Sequence, residues 1–323
     1  MFITRDTADK VPEGPPFYFS PRVCDYDCIS GHARHFPILL VRTANDKRKA
    51  ANAQKVLAVS PMPNLSPRAL TYLSRLRVKD PDGHPKLAGL IWMHALAIGY
   101  SPAYLTENAD GIRRDWPRVP LPADRKTLEA SAALGEQIAA LLNTEADVSG
   151  VTCGKIAPGL KTIGLITKAG GGQLDAAGSD LAVTADWGHK GKEGRTMPAK
   201  GKLIEREYDK VEANAIQAEA TARGMSPKDA VRLLGPKTSD VYLNNVAYWR
   251  NIPSNVWEYY IGGYQVIKKW LSYRELELLG RPLKPDEARE VTNIARRIAA
   301  IILLQPSLDA NYRRVSASPF DWA

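Results

Sequence analysis

The spacing of apolar residues changes near Thr144, so no single repeating element can account for the chain. From Ser66 to Asn143 the spacing is helical. Ser66-Pro67 reads as a helix start, because the hydroxyl can cap and proline suits the first turn. Leu70, Leu73 and Leu76 follow at helical intervals. Leu87 to Tyr100 is apolar nearly all round, which predicts a buried helix. Between Leu128 and Leu142, Ser131, Leu134, Ile138, Leu141 and Leu142 share one face. The segment Gly111 to Pro122, with Trp116 and three prolines, is expected to be a loop packed between helices.

Beyond Thr144 the pattern turns glycine-rich, with short β-prone pieces at Lys161–Thr167 and Leu181–Trp187 and a turn at Gly170, Gly171 and Gly172. Leu203 to Leu234 reads as helix, interrupted at Gly224-Met225-Ser226-Pro227 where Ser226 caps a new start. Strand-like aromatic pieces follow from Val241 to Trp270. A long amphipathic helix is expected from Asp286 to Leu304, ending at Pro306. The first sixty residues are proline-rich, with short β-like runs at Phe17–Phe19 and Phe36–Val41. The expected organisation is an irregular connector over residues 1–64, a helical unit over 65–150 and a recognition region over 151–323. The fold class is α/β mixed (α+β): the helical unit, then a small twisted sheet and a C-terminal helix. A length of 323 residues suits two compact bodies.

Composition removes several classes. The longest apolar run, Ile298 to Leu304, is far short of the ~20 residues that cross a bilayer, so no membrane partner is expected. Met1 to Lys10 lacks a basic-then-apolar leader pattern. Three cysteines exclude a disulfide scaffold and suit a reducing cytoplasm. Lysine and arginine number 44 against 35 acids, a net charge of +9, which favours an anionic partner such as nucleic acid.

The parts of an enzyme are missing. Gly201-Lys202 is followed by Leu203, so the hydroxyl of a phosphate-binding loop is absent. An adenine methyltransferase loop needs Asn or Asp before Pro-Pro, to bond the flipped base's amine. The nearest match, Gly14-Pro15-Pro16-Phe17, has glycine there and reads as a structural turn. Cys24, Cys28, His32 and His35 have zinc-ligand chemistry, but the three-residue gap between Cys28 and His32 leaves little room for a chelating hairpin. A turn with buried thiols and surface imidazoles is the other reading of these four residues. No catalytic residue, metal or cofactor is assigned.

Two basic regions carry the functional expectation. Tyr242, Tyr248, Trp249, Trp257, Tyr259, Tyr260, Tyr264, Trp270 and Tyr273 crowd one short segment, interleaved with Arg250, Lys268, Lys269 and Arg274. Ring faces beside cations fit base stacking and phosphate contact. Trp249, Trp257 and Trp270 are expected in the core. Gly262-Gly263, followed by Tyr264, lets backbone approach another surface closely. The second region is a flexible loop, Gly188 to Gly201, with Lys190, Lys192, Arg195 and Lys200, and Lys202 just beyond. Lys155 to Lys202 holds eight bases against four acids, whereas Leu203 to Asp240 holds six against seven. Such a loop suits a phosphate backbone, and equally a solvated surface.

The segments Asp240–Pro253 and Trp257–Glu275, with their core Ile261-Gly262-Gly263-Tyr264-Gln265-Val266 and Lys268-Lys269-Trp270-Leu271, are distinctive. Together with Asp25–Pro37, Trp92–Tyr100, Ala109–Pro117 and Leu304–Tyr312, they strongly resemble the C-terminal specificity domain of type ISP restriction–modification enzymes. Nearly the whole chain is covered. Those enzymes are single-chain DNA translocases that act in phage defence. They join a nuclease, a helicase-like ATPase, a coupler, an adenine methyltransferase and this recognition region. The resemblance implies a sequence-specific module for double-stranded DNA that positions a methyltransferase and nuclease supplied elsewhere, for example by a nuclease–helicase–methyltransferase chain. The catalytic motifs of those parts are absent here, so the chain reads as a fragment, a split gene product or a stand-alone subunit. A degenerate adenine-N6 methyltransferase that retains cofactor or DNA binding is the alternative.

Overall fold

The computed structural model describes residues 1–4, 14–25, 33–41, 61–81, 84–175 and 178–322. It forms two compact units, one of Met1–Asn143 with Gln305–Ala323 and one of Thr144–Leu304.

The first unit is mainly helical. Its strands are β1 (Phe2–Thr4), β2 (Phe17–Phe19), β3 (Arg34–Phe36), β4 (Leu39–Val41) and β5 (Pro61–Pro63). β1 is the middle of an antiparallel sheet between β2 and β3, and β4 pairs with β5. Its helices are α1 (Pro67–Arg75), α2 (Pro85–Gly99), α3 (Pro102–Glu107), α4 (Ala109–Arg114) and α5 (Arg125–Leu142). Ser66 caps α1 by accepting from the Ala69 amide, and Asp124 caps α5 by accepting from Thr127. α2 and α5 touch backbone to backbone at Gly135, where a Cβ would lie 1.8 Å from the Met93 carbonyl oxygen.

A buried polar chain runs through this unit. His94 contacts the Pro120 carbonyl through Nε2 at 2.8 Å and Ser131 Oγ through Nδ1 at 2.7 Å, while Asn311 donates to Ser131. Burial pulls the His94 pKa down to about 4, opposed by its bond to Pro120.

The second unit contains α6 (Pro158–Lys161), β6 (Leu165–Lys168), β7 (Gly188–Lys190), β8 (Thr196–Pro198), β9 (Leu203–Arg206), α7 (Lys210–Ala222), α8 (Pro227–Leu234), β10 (Thr238–Tyr242) and β11 (Ala247–Pro253). It continues with α9 (Ser254–Trp257), β12 (Tyr260–Ile261), β13 (Tyr264–Gln265), α10 (Val266–Ser272), α11 (Leu276–Leu279) and the start of α12 (Pro285–Ala317). The main sheet is antiparallel in the order β6-β11-β10-β9, with a bulge in β10 between Ser239 and Val241. Trp249 of β11 is fully buried and donates its indole N–H to the Ala288 carbonyl of α12.

The mixed class holds, and five local expectations change, the first being that Gly111–Arg114, expected in a loop, lies in α4. The N-terminal residues are more than a connector: Phe2, Ile3 and Phe17 are buried, and Phe2 and Phe36 pack on Trp92 of α2. Leu203–Arg206 is strand rather than helix, because it pairs with β10, and the helix waits for Asp209 and Glu212 to form a reciprocal cap. Leu181–Trp187 is not a strand, although Leu181, Ala182, Val183 and Trp187 are buried. Thr184 donates to the Leu243 carbonyl, while Val183 and Leu181 accept from Leu276 and Leu283. Pro306 does not stop α12, which runs for 33 residues. A proline inside a helix forfeits one backbone bond. Buried Ile301, Ile302 and Leu303 before it and Leu308, Tyr312 and Val315 after it supply the packing that offsets the loss. Those last three residues explain why the C-terminal segment counts with the first unit: Tyr312 and Val315 share a core with Ile98, Tyr104 and Ile112. No helix among the described residues is long and apolar enough to cross a membrane.

Candidate nucleic-acid interface

The stretch expected as a flexible basic loop is an ordered hairpin. β7 and β8 pair Gly188 with Pro198, His189 with Met197 and Lys190 with Thr196, and the Gly191 amide closes the end on the Arg195 carbonyl at 2.7 Å. Its base is fixed by Trp187, which is fully buried. The Trp187 amide donates to the Glu275 carboxylate and its indole to the Tyr242 carbonyl at 2.7 Å. Gly188 lies so close to α10 that a Cβ would meet the Ser272 carbonyl oxygen at 2.0 Å. Burial raises the Glu275 pKa, with the Trp187 amide opposing.

The hairpin presents cations to solvent. Lys190, Lys192, Arg195 and Lys200 are exposed. Arg195 approaches Glu193 at 3.5 Å with both side chains 79% exposed, a pairing that contributes little. Lys202, entering β9, donates to Asn245 Oδ1 at 3.0 Å and lies 4.5 Å from the Tyr242 ring centre. Tyr242 in turn stacks on Tyr248, with centroids 5.0 Å apart.

The glycine–tyrosine tip is a second, very short hairpin. β12 and β13 pair Tyr260 with Gln265 and Ile261 with Tyr264. Gly262 and Gly263 between them have φ of 58° and 78°, the left-handed pair that a two-residue turn of this kind requires. Tyr264 is half-exposed. α10 follows directly. Its Ile267 and Leu271 are buried, while Lys268 and Lys269 lie on its more open side. α10 packs on both strands of the basic hairpin, which brings the two sequence regions together.

The aromatic residues divide between core and surface, with Trp270 only partly buried where the core was expected. Trp249 and Trp257 are buried, and Trp270 meets Trp249 edge-on at 6.5 Å. Arg274 lies flat on Trp270, 3.8 Å from the ring centre, and donates to the Trp270 carbonyl. Its pKa is lowered by burial and supported by Glu290 and Glu287, so it remains charged.

Arg250 sits apart from this group. It faces the start of α7, paired with Asp209 and with Glu212 at 3.2 Å. Arg206 binds Glu212 through two nitrogens, at 2.7 and 2.8 Å, and Asp240 through two more contacts, at 3.0 and 2.9 Å. Two arginines and three carboxylates thus tie β9, β10 and β11 to α7. The Glu212 bond, ahead of Asp240, raises the Arg206 pKa further, and the backbone amide of Glu212 holds Asp209 low. Arg250 is neutralised in place, unlike Lys190, Lys192, Lys200 and Lys268, which make no ion pair among the described residues.

Other sequence candidates resolve differently. Gly14-Pro15-Pro16-Phe17 leads into β2, and Phe17 packs against Phe2 at 4.9 Å. Gly170 to Gly172 form an exposed turn with φ of 78°, 86° and 90°. Cys28 and His32 lie outside the described residues. No cluster of metal-binding side chains is present among the described residues. Trp187 anchors the hairpin from the core, a structural part that the sequence reading did not assign to it. Tyr273 stands one helical turn beyond Lys269, a spacing that could have flagged it.

The family model of the type ISP C-terminal specificity domain matches residues 2–300. None of the curated proteins matches the chain. Among solved structures, the chain is similar to one in the cryo-EM structure of the DrdV–DNA complex, at 14% identity and a TM-score of 0.46. That match covers 97% of this chain and 24% of the other, so this chain spans about a quarter of the solved chain's length.

Proposed function

The chain belongs to the type ISP C-terminal specificity domain family, and from that premise we propose that it recognises a specific sequence in double-stranded DNA. The observation that supports this most is the pairing of the β7–β8 hairpin with α10. The hairpin carries Lys190, Lys192 and Arg195, and α10, which packs on it, bears Lys268 and Lys269 and follows directly on the Gly262-Gly263-Tyr264 turn, while Lys200 and Lys202 lie just beyond β8. Such a surface attracts a phosphate backbone by releasing condensed counterions, and a narrow protruding turn can enter a groove. We further propose that the module places DNA for an adenine methyltransferase and a nuclease carried outside these residues, in a cytoplasmic restriction–modification assembly. Lys190, Lys192, Arg195, Lys200 and Lys202 would contact phosphates, and Gly262, Gly263 and Tyr264 would approach the bases.

The test is enrichment of a randomised duplex library on the purified chain, followed by a salt titration of the enriched and a scrambled duplex. A reproducible enriched sequence with strongly salt-dependent affinity is expected. Lys192→Ala should weaken both duplexes alike and lower the slope of log affinity against log salt by about one. A parent protein that enriches no sequence and binds no duplex refutes the reading.

A further inference from the structure

Lys269 has unusual surroundings for a surface lysine. Its ammonium lies 4.4 Å from the centre of the Tyr264 ring and 4.7 Å from that of Tyr273. The two rings are 48% and 47% exposed, so the clamp opens to solvent. One ring comes from the β12–β13 hairpin and the other from the residue that ends α10. Lys269 makes no ion pair among the described residues. Its positive charge is therefore held in position by ring faces and left without a counter-charge.

Resting on the DNA-binding reading, we propose that the Tyr264–Lys269–Tyr273 clamp is a preset anchor for one phosphate of the DNA backbone, independent of base sequence. Three points support a phosphate over a base. Lysine presents a compact point charge with rotatable donors, which suits a phosphate oxygen better than the paired acceptors of a base edge. Each ring has one face occupied by the ammonium, so the pair acts as a holder for the cation. A lysine already fixed loses less side-chain freedom when a ligand arrives, which favours a contact that sets register. Lys190, Lys192 and Lys200 on the neighbouring hairpin have no such restraint. On this proposal α10 offers one held contact, and the hairpin lysines offer contacts without a ring clamp. Tyr273 is a positioning residue that acts through Lys269.

The experiment uses the full chain, with the sequence enriched by the parent protein and a scrambled duplex as probes. Lys269→Gln is expected to weaken both duplexes by the same factor, about tenfold, the lower end of what a charged hydrogen bond contributes. It should also lower the salt slope by about one and enrich the parent's sequence from the library. Tyr273→Phe should match the parent, because the ring face is retained. Tyr273→Leu should weaken both duplexes equally with the salt slope kept, because the cation survives but is no longer held. Thermal unfolding of each variant establishes that it is folded. A Lys269→Gln protein that is folded and binds like the parent at every salt concentration overturns the anchor alone. A variant that enriches a different sequence overturns it in favour of base reading. A parent that binds no duplex overturns the anchor and the DNA-binding reading together.

Discussion

Removing Arg250 should cost stability and leave DNA binding intact, although its sequence context is as basic and aromatic as that of Lys269. The perturbation is Arg250→Ala. It deletes the contacts to Asp209 and Glu212 that fasten β11 to the start of α7. Glu212 is only 4% exposed at its side chain and keeps its two bonds from Arg206, so no buried charge is stranded. A charged hydrogen bond contributes roughly 1.5–3 kcal/mol in protected surroundings. Arg250 is 43% exposed and Asp209 35%, so solvent screening takes most of their pairing, and the arginine stem loses some packing. The balance is a loss of about 1–2 kcal/mol, or about 2–4 °C in melting temperature per kcal/mol for a unit of this size. Differential scanning calorimetry, with Lys192→Ala as the comparison, measures it. Lys192 is exposed and unpaired among the described residues, so its removal should leave the melting temperature unchanged and lower the salt slope. The reasoning fails if the two variants exchange behaviour, with Arg250→Ala flattening the salt dependence of DNA binding while its melting temperature stays at the parent value.

Gly188→Ala should weaken binding to all duplexes without removing a charge. Its methyl group would press on the Ser272 carbonyl oxygen, so the basic hairpin must shift from α10, at about 1–3 kcal/mol of overpacking. Calorimetry together with duplex titration reads both effects. Trp249→Ala should destabilise the second unit by about 3–5 kcal/mol, because the fully buried indole also leaves the Ala288 carbonyl without its donor. Denaturant unfolding measures that loss. His94 makes the first unit sensitive to acid. Its folded pKa of about 4 lies below its ordinary value of 6.5, so stability is complete above pH 6.5 and is lost as the unfolded chain takes up the proton first. The loss approaches about 3 kcal/mol near pH 4. His94→Gln should be less stable at pH 7 yet show a flatter dependence between pH 6.5 and 4, and equal slopes in parallel thermal melts would refute the assignment.

Helices whose ends and faces are written locally were legible from the sequence. Ser66-Pro67 starts α1 as read, and of the shared face Ser131, Leu134, Ile138, Leu141 and Leu142 all but the partly buried Leu134 are buried in α5. The misread elements are those set by distant partners. Leu203-Ile204-Glu205-Arg206 has helix-compatible composition, and only its pairing with Val241, Asp240, Ser239 and Thr238 makes it a strand. Leu181, Ala182 and Val183 are apolar because they fill core, and the carbonyls of Val183 and Leu181 accept from Leu276 and Leu283 rather than from a ladder. Pro306 carried a local stop signal that packing on both sides of it overrides.

The same distinction governs the candidate interface. Charge counting located the basic residues, but a cation is available to DNA only if the fold leaves it without a carboxylate. Arg250 and Lys269 are nineteen positions apart in one aromatic-rich segment. Arg250 meets Asp209 and Glu212, 41 and 38 residues earlier, because β11 runs beside β10 and faces α7. Lys269 meets Tyr264 and Tyr273, five residues before it and four after, because one hairpin and one helical turn bring the rings to it. The long-range pairing that neutralises Arg250 leaves no local trace, whereas the clamp around Lys269 is local and has a readable spacing. On the proposed DNA-binding reading, electrostatic attraction would follow from the bases that the tertiary structure leaves unmatched, and the net charge of +9 overstates what any one face can offer.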